Sequence, residues 1–192
     1  MLTEENWDCA EYTIFEESKK AIMRFAESET SDPCSFFALS SDYVFGDITI
    51  CFDTYNNSLL HAKRHDARVF TTRANAFASA NSWTNARHYL QRDSIGTFPP
   101  HTSEFTFPEF ATIHLPDWES HFAIDFGPEN PDPIGHVIIV LHNAICRLMN
   151  AGSFECLAMS SPFYVGIEFP TVDRGITVLK ILNWPPHQGT RV

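Results

Sequence analysis

The 192-residue chain is 44% hydrophobic and holds 17 phenylalanines, which excludes a disordered segment and supplies enough apolar side chain for one buried core. No run approaches the roughly 20 apolar residues that span a bilayer, and the opening Met-Leu-Thr-Glu-Glu has neither the basic region nor the apolar stretch of a secretory leader. The net charge of −11 is unevenly spread: nine acids against three bases over residues 1–32, five against six over 33–100, and ten against four over 101–192. Without a dominant basic surface to displace counterions from phosphates, the chain is a poor ligand for nucleic acid; its acidity either serves solubility, the commoner reason on charge alone, or suits a basic protein toward which it would be steered.

An amphipathic helix is expected from about Glu4 to Glu27, with Thr3 as N-cap and Glu4 and Glu5 set against the positive end of the helix dipole. Trp7, Ala10, Ile14, Ala21, Ile22 and Phe25 recur at helical spacing and make a buried stripe. Asp8, Glu11, Glu16, Lys19, Lys20 and Glu27 lie opposite, as a solvated face or as an acidic docking surface. After the Asp32-Pro33 break, Cys34–Ser40 and Asp47–Thr54 read as a hairpin turned through Ser41–Gly46. In its second strand Ile48, Ile50 and Phe52 alternate with Thr49, Cys51 and Asp53, giving one buried and one more polar face. Residues 56–93, richer in Ala, Asn and Arg, fit one or two less regular helices such as Ser58–Arg68 and Ser82–Gln91.

Four prolines make Gly96–Pro116 irregular, with short extended pieces, while Phe98, Phe105, Phe107 and Phe110 need something to pack on, so no domain boundary falls there. His121–Phe126 reads as a strand with Phe122, Ile124 and Phe126 on one side. Asp132 then caps a helix whose first position is Pro133; Ile134, Val137, Ile138, Leu141, Ile145, Leu148 and Met149 form its apolar stripe and Gly152 suits its C-terminal cap. Pro162–Phe169 and Ile176–Asn183 form a second hairpin around Thr171–Gly175, before a Trp184-Pro185-Pro186 tail. The expected fold is α+β in a single domain, 1–192, with an antiparallel or mixed sheet built from two hairpins and covered by helices mainly on one face.

The five cysteines, Cys9, Cys34, Cys51, Cys146 and Cys156, are an odd set without a close pair, which fits reduced, buried thiols rather than disulfides or a zinc site. None of the eight glycines falls in a phosphate-binding arrangement, and no nucleophile elbow, zincin, EF-hand or kinase signature is present. Three constellations remain. His61 and His65, four apart beside Lys63, Arg64 and Arg68, form a basic helix face or part of a metal or anion site. Asp117, Glu119 and His121 would share one side of an extended segment near His114, as a solvated strand edge or as groups for acid–base or metal chemistry. His136, Asn143 and Arg147 sit on the flank of the core helix, where such residues hydrogen-bond at a helix edge.

The long acidic N-terminal helix, the S-F-F-A-L strand (Ser35–Leu39), a Trp-containing middle and the closing V-L-K-I-L-N strand (Val178–Asn183) resemble a bacterial domain family of unknown function. That family consists of small cytosolic domains, some encoded among polymorphic toxin and immunity genes. The resemblance spans most of the chain in layout and implies no catalytic residues. With the acidic charge, it points to a cytoplasmic, non-enzymatic protein-binding domain, an immunity protein that occludes the active site of a cognate toxin. The expected partner is a protein, such as a basic toxin domain, with no cofactor, metal, nucleic acid or membrane. Asp8, Glu11, Glu16, Asp117, Glu119 and His121 are the candidate partner-binding residues. Two alternatives stay open: a small hydrolase or metal-dependent enzyme using Asp117, Glu119 and His121, and a structural or regulatory subunit acting as a homodimer.

Overall fold

Thr3 starts the first helix, α1 (Glu4–Ala26), through a capping box: its hydroxyl accepts from the Asn6 backbone N–H while the Asn6 side chain accepts from the Thr3 N–H at 3.0 Å. The computed structural model describes residues 2–28, 30–63, 101–122, 134–169 and 176–182. Ala10, Ile14, Phe15, Ser18, Ala21, Ile22 and Phe25 make the buried stripe of α1, close to the expected one, while Trp7 is only partly covered.

Five strands form one mixed sheet in the order β3-β2-β1-β4-β5. They are β1 (Cys34–Asp42), β2 (Asp47–Thr54), β3 (Phe107–His114), β4 (Met159–Glu168) and β5 (Thr177–Leu182). Both expected hairpins are present, β1 with β2 and β4 with β5, each antiparallel. They join through a parallel β1–β4 pairing, which makes β1 the central strand and buries eight of its nine residues. A bulge between Cys34 and Phe36 breaks the alternation, so that Cys34 belongs to the helix-side core and Phe36 to the opposite face.

The helices lie mainly on one face, as the sequence predicts. There α1 and α4 (Ile134–Asn150) cover Phe37, Leu39, Ile48, Ile50, Phe52, Val165 and Ile167. Phe25 stacks on Phe52 with ring centroids 4.1 Å apart, and Phe107 and Phe110 meet Phe25 edge-on. The opposite face carries a smaller cluster of Phe36, Ala38, Cys51, Phe105 and Tyr164. It is approached by a helix over residues 55–63, α2, and by the segment around Thr102–Glu104.

Three local expectations change. The proline-rich stretch yields a full edge strand, β3, because Pro108 stands beside a register slip opposite Ile50–Phe52, where a missing N–H costs no ladder bond. The expected strand at His121 is instead the end of a helix, α3 (Pro116–Phe122); residues 123–126 lie outside the described ones. Pro116 opens that helix, Asp117 and Glu119 occupy its first turn, and Trp118 and Phe122, four apart, are its buried side. Third, Ile138 leaves the apolar stripe of α4 for the surface, and Val140 and Ala144 take the core positions. The helix Ser82–Gln91, the second half of Ser58–Arg68, the Asp132-Pro133 start of α4, the turn Thr171–Gly175 and the Trp184-Pro185-Pro186 tail also lie outside the described residues.

The β1–β2 connection is a short 3-10 turn, Tyr43–Phe45, ended by Gly46 at φ 72. A side chain there would be strained, and its Cβ would collide with the Leu115 carbonyl oxygen. The Gly46 carbonyl accepts from Leu115 N at 2.8 Å, so this glycine holds α3 against the hairpin end. α4 ends as expected, with Gly152 at φ 67 two residues beyond Asn150.

Candidate functional site

Two groups of carboxylates stand out, at opposite ends of the burial scale. The first lies under the second face of the sheet. Asp53 is fully buried and its Oδ1 accepts from Asn57 Nδ2 at 2.7 Å and from Thr106 N and Oγ1 at 3.0 Å each. Its Oδ2 accepts from Ser58 Oγ at 2.5 Å, and Ser58 in turn meets Ser35 Oγ at 2.8 Å. On β4, Glu168 accepts from Thr102 N at 2.9 Å and from the Thr102 hydroxyl, and its Oε1 meets His101 Nδ1 at 2.8 Å. Residues 101–106 are thus fastened across the sheet by one buried carboxylate at each end, with Phe105 packed between them on Phe36. Every oxygen of the two acids has a partner, which makes them structural ties. Burial pushes the neighbouring Cys51 thiol up to about 12 and the Cys34 thiol above its ordinary value, so both are inert at neutral pH. All five cysteines are free, as the sequence predicts, but Cys9 and Cys156 are exposed rather than buried.

The second group surrounds a groove between the first turns of α1 and of α4. Its volume is about 460 Å³ and its floor is Leu2, Trp7, Ile139 and Val140. Glu4, Asp8 and Glu11 form the α1 rim; His136 and Asn143 form the α4 rim. Trp7 is the junction of three helices: its ring stacks on His136 (centroids 5.4 Å, interplanar 18°) and meets Trp118 of α3 edge-on at 5.5 Å. On the α4 side Ile139 leaves the floor open to water at 57% exposure, and Ile138, at 39%, lies beside the groove. An aliphatic pair left in water next to an acidic rim is costly unless something covers it.

The rim acids differ in their compensation. Glu11 is tied internally: Asn143 Nδ2 donates to its Oε2 at 3.1 Å and Arg147 Nη1 to its Oε1 at 3.3 Å. The same guanidinium lies 4.5 Å from the Phe15 ring centroid and 5.5 Å from that of Tyr12. This bears out the helix-edge role expected of Asn143 and Arg147. Among the described residues Glu4 and Asp8 have no cationic partner, and none of the groove-lining ones is a lysine or arginine. The first base along α1 is Lys19, about three turns beyond Asp8. Glu16 is partly covered and does not line the groove.

The α3 trio is divided by its helix. Residues two apart are about 200° apart around a helix and residues four apart about 40°, so Asp117 and His121 share a flank while Glu119 turns away; the expected one-sided cluster required an extended strand. Asp117 accepts from Asn6 Nδ2 at 3.3 Å, which brings it to the N-terminal end of α1. Glu119 meets His114 Nε2 at 3.4 Å, and His114 Nδ1 meets Asp47 Oδ1 at 2.9 Å. The hydrogen bond to Asp47 raises the His114 imidazole above its ordinary range. Burial lowers that of His121 and raises the carboxyl of Asp42, which faces Asp47 across the hairpin end. His61 reaches Glu104 at 3.6 Å, whereas His65, Arg64 and Arg68 lie outside the described residues.

Among the described residues no three His, Cys, Asp or Glu are placed to hold a metal ion, and no helix is long and apolar enough to cross a membrane. No family model matches the sequence, and no curated protein and no solved structure gives a significant match.

Two features of the site escaped the sequence reading. Ile138 and Ile139 were legible in principle: Val137 to Leu141 is a run of five apolar residues, more than one face of a helix can bury. The Asp53 network had a weaker signal, since only the aromatic-rich stretch around Phe105 hints that the polar side of β2 is covered.

Proposed function

We propose that the chain is a non-catalytic protein-binding domain of the cytoplasm, an immunity protein that neutralises a cognate toxin by covering its active site. One observation carries the reading: Glu4 and Asp8, without a lysine or arginine partner among the described residues, border an apolar groove that includes the outward Ile139 and adjoins Ile138. A surface shaped only for solubility intersperses charges of both signs and avoids apolar patches, whereas an interface combines an apolar centre with a polar rim. Asp117, linked to Asn6, extends the negative rim onto α3. The resemblance of the chain's layout to immunity-locus domains supplies the biological setting, and the single sign of the rim selects a basic partner.

The test is to co-express the chain with the product of the adjacent gene and measure complex formation and relief of growth inhibition. The reading expects a complex that dissociates more readily as salt rises, and rescue that is lost in Glu4→Gln/Asp8→Asn. A chain that neither binds nor rescues, or rescue indifferent to those two substitutions, counts against it. Self-association through Ile138 and Ile139, seen as a dimer by light scattering and abolished by Ile139→Ser, would favour the homodimer instead.

A further inference from the structure

We infer that the groove between α1 and α4 selects an arginine side chain of the partner, in preference to lysine. The inference rests on the protein-binding reading and adds the chemistry of the group that is bound. The molecule already holds one guanidinium on the neighbouring turns of α1. Arg147 is set against the carboxylate of Glu11 at 3.3 Å and over the ring of Phe15 at 4.5 Å, with Tyr12 on another side. That arrangement, a carboxylate beside aromatic faces on an apolar helix surface, suits a weakly hydrated planar cation and penalises a compact, strongly hydrated ammonium.

One to two turns nearer the N-terminus carboxylates again border an apolar helix surface, with no lysine or arginine beside them among the described residues; the aromatic there is Trp7, whose ring is packed by His136, Trp118 and Phe122. Glu4 and Asp8 are four apart on α1, hence on one side of it, and both line the groove with Trp7 between them in sequence. The forked donors of a guanidinium can engage both carboxylates at once, while its aliphatic stem lies along Leu2 and Ile139. The Trp7 ring is held in place by His136 and Trp118, so little side-chain ordering accompanies binding. A lysine would bring the charge but would meet the apolar floor with a tightly held hydration shell.

The experiment titrates two short helical peptides, identical except that one carries arginine with leucine and the other lysine with leucine, into the full chain. Binding is followed through the NMR signals of the Trp7 indole N–H, the His136 ring and the Ile139 methyls. The arginine peptide is expected to move these signals saturably and to bind at least about three-fold more tightly than the lysine peptide. Asp8→Asn should weaken the arginine peptide most and shrink the difference between the two. Equal affinities at the groove would overturn the arginine preference and leave the protein-binding reading intact. If neither peptide moves the three groove residues, or both act elsewhere on the surface, the inference and the reading beneath it fail together.

Discussion

Asp53 and Asp8 are the same amino acid in opposite situations. Asp53 is fully buried and surrounded by donors from Asn57, Ser58 and Thr106. Asp8 is exposed on the rim of a groove with no cation near it among the described residues. A buried carboxylate is tolerable only when its hydrogen bonds replace its water, so the first must serve the fold. An exposed carboxylate keeps its water and contributes little to stability, which leaves the second free to serve something outside the molecule.

The largest effect is expected at Asp53. Asp53→Ala should lower the free energy of unfolding by about 3 kcal/mol or more in chemical denaturation, because several donors lose their acceptor at once. Loss near zero would mean the network is not a tie. Gly46→Ala comes next, at about 2 kcal/mol, from its left-handed backbone and the collision with Leu115. Because Gly46 anchors α3, this variant should also shift the NMR signals of Asp117.

Arg147→Ala sharpens the contrast in another way. It should cost about 1 kcal/mol through the lost ion pair and ring contacts. It also leaves Glu11, like Glu4 and Asp8, without a cationic partner among the described residues, so affinity for a cationic peptide should rise while stability falls. The smallest effect belongs to His114, whose imidazole is raised above its ordinary range by Asp47 and by Glu119. A raised folded-state value stabilises fully below the unfolded value of about 6.5 and loses that stabilisation as pH rises through the folded one. Wild type should therefore lose a little melting temperature across that window, and His114→Asn should flatten the change.

Much of the fold was legible because its strongest signals are periodic. The stripe of α1, the two hairpins and the body of α4 follow from spacing, and so does the placement of helices mainly on one face. What misled were segments where two periods overlap. Trp118 and Phe122 are four apart, while Phe122, Ile124 and Phe126 are two apart; helix and strand compete over the same residues, and α3 wins as far as Phe122. The candidate site was half legible. The acids of α1 are visible as acids, but which of them is spare depends on Arg147, more than 130 residues away in the chain, which reaches Glu11 while Asp8 has no cationic partner among the described residues. Glu119 and Asp117 form one group only on an extended backbone, and the helical turn of α3 separates them.

Whether the α1 rim serves a partner and not the fold is decided by the salt dependence of leucine–arginine peptide affinity in wild type and in Glu4→Gln/Asp8→Asn. Wild-type affinity should fall steeply as salt rises, and the variant should bind more weakly with a flatter dependence, its unfolding free energy staying within about 1 kcal/mol of wild type. Identical affinity and identical salt dependence in the two proteins would contradict a partner role for the rim.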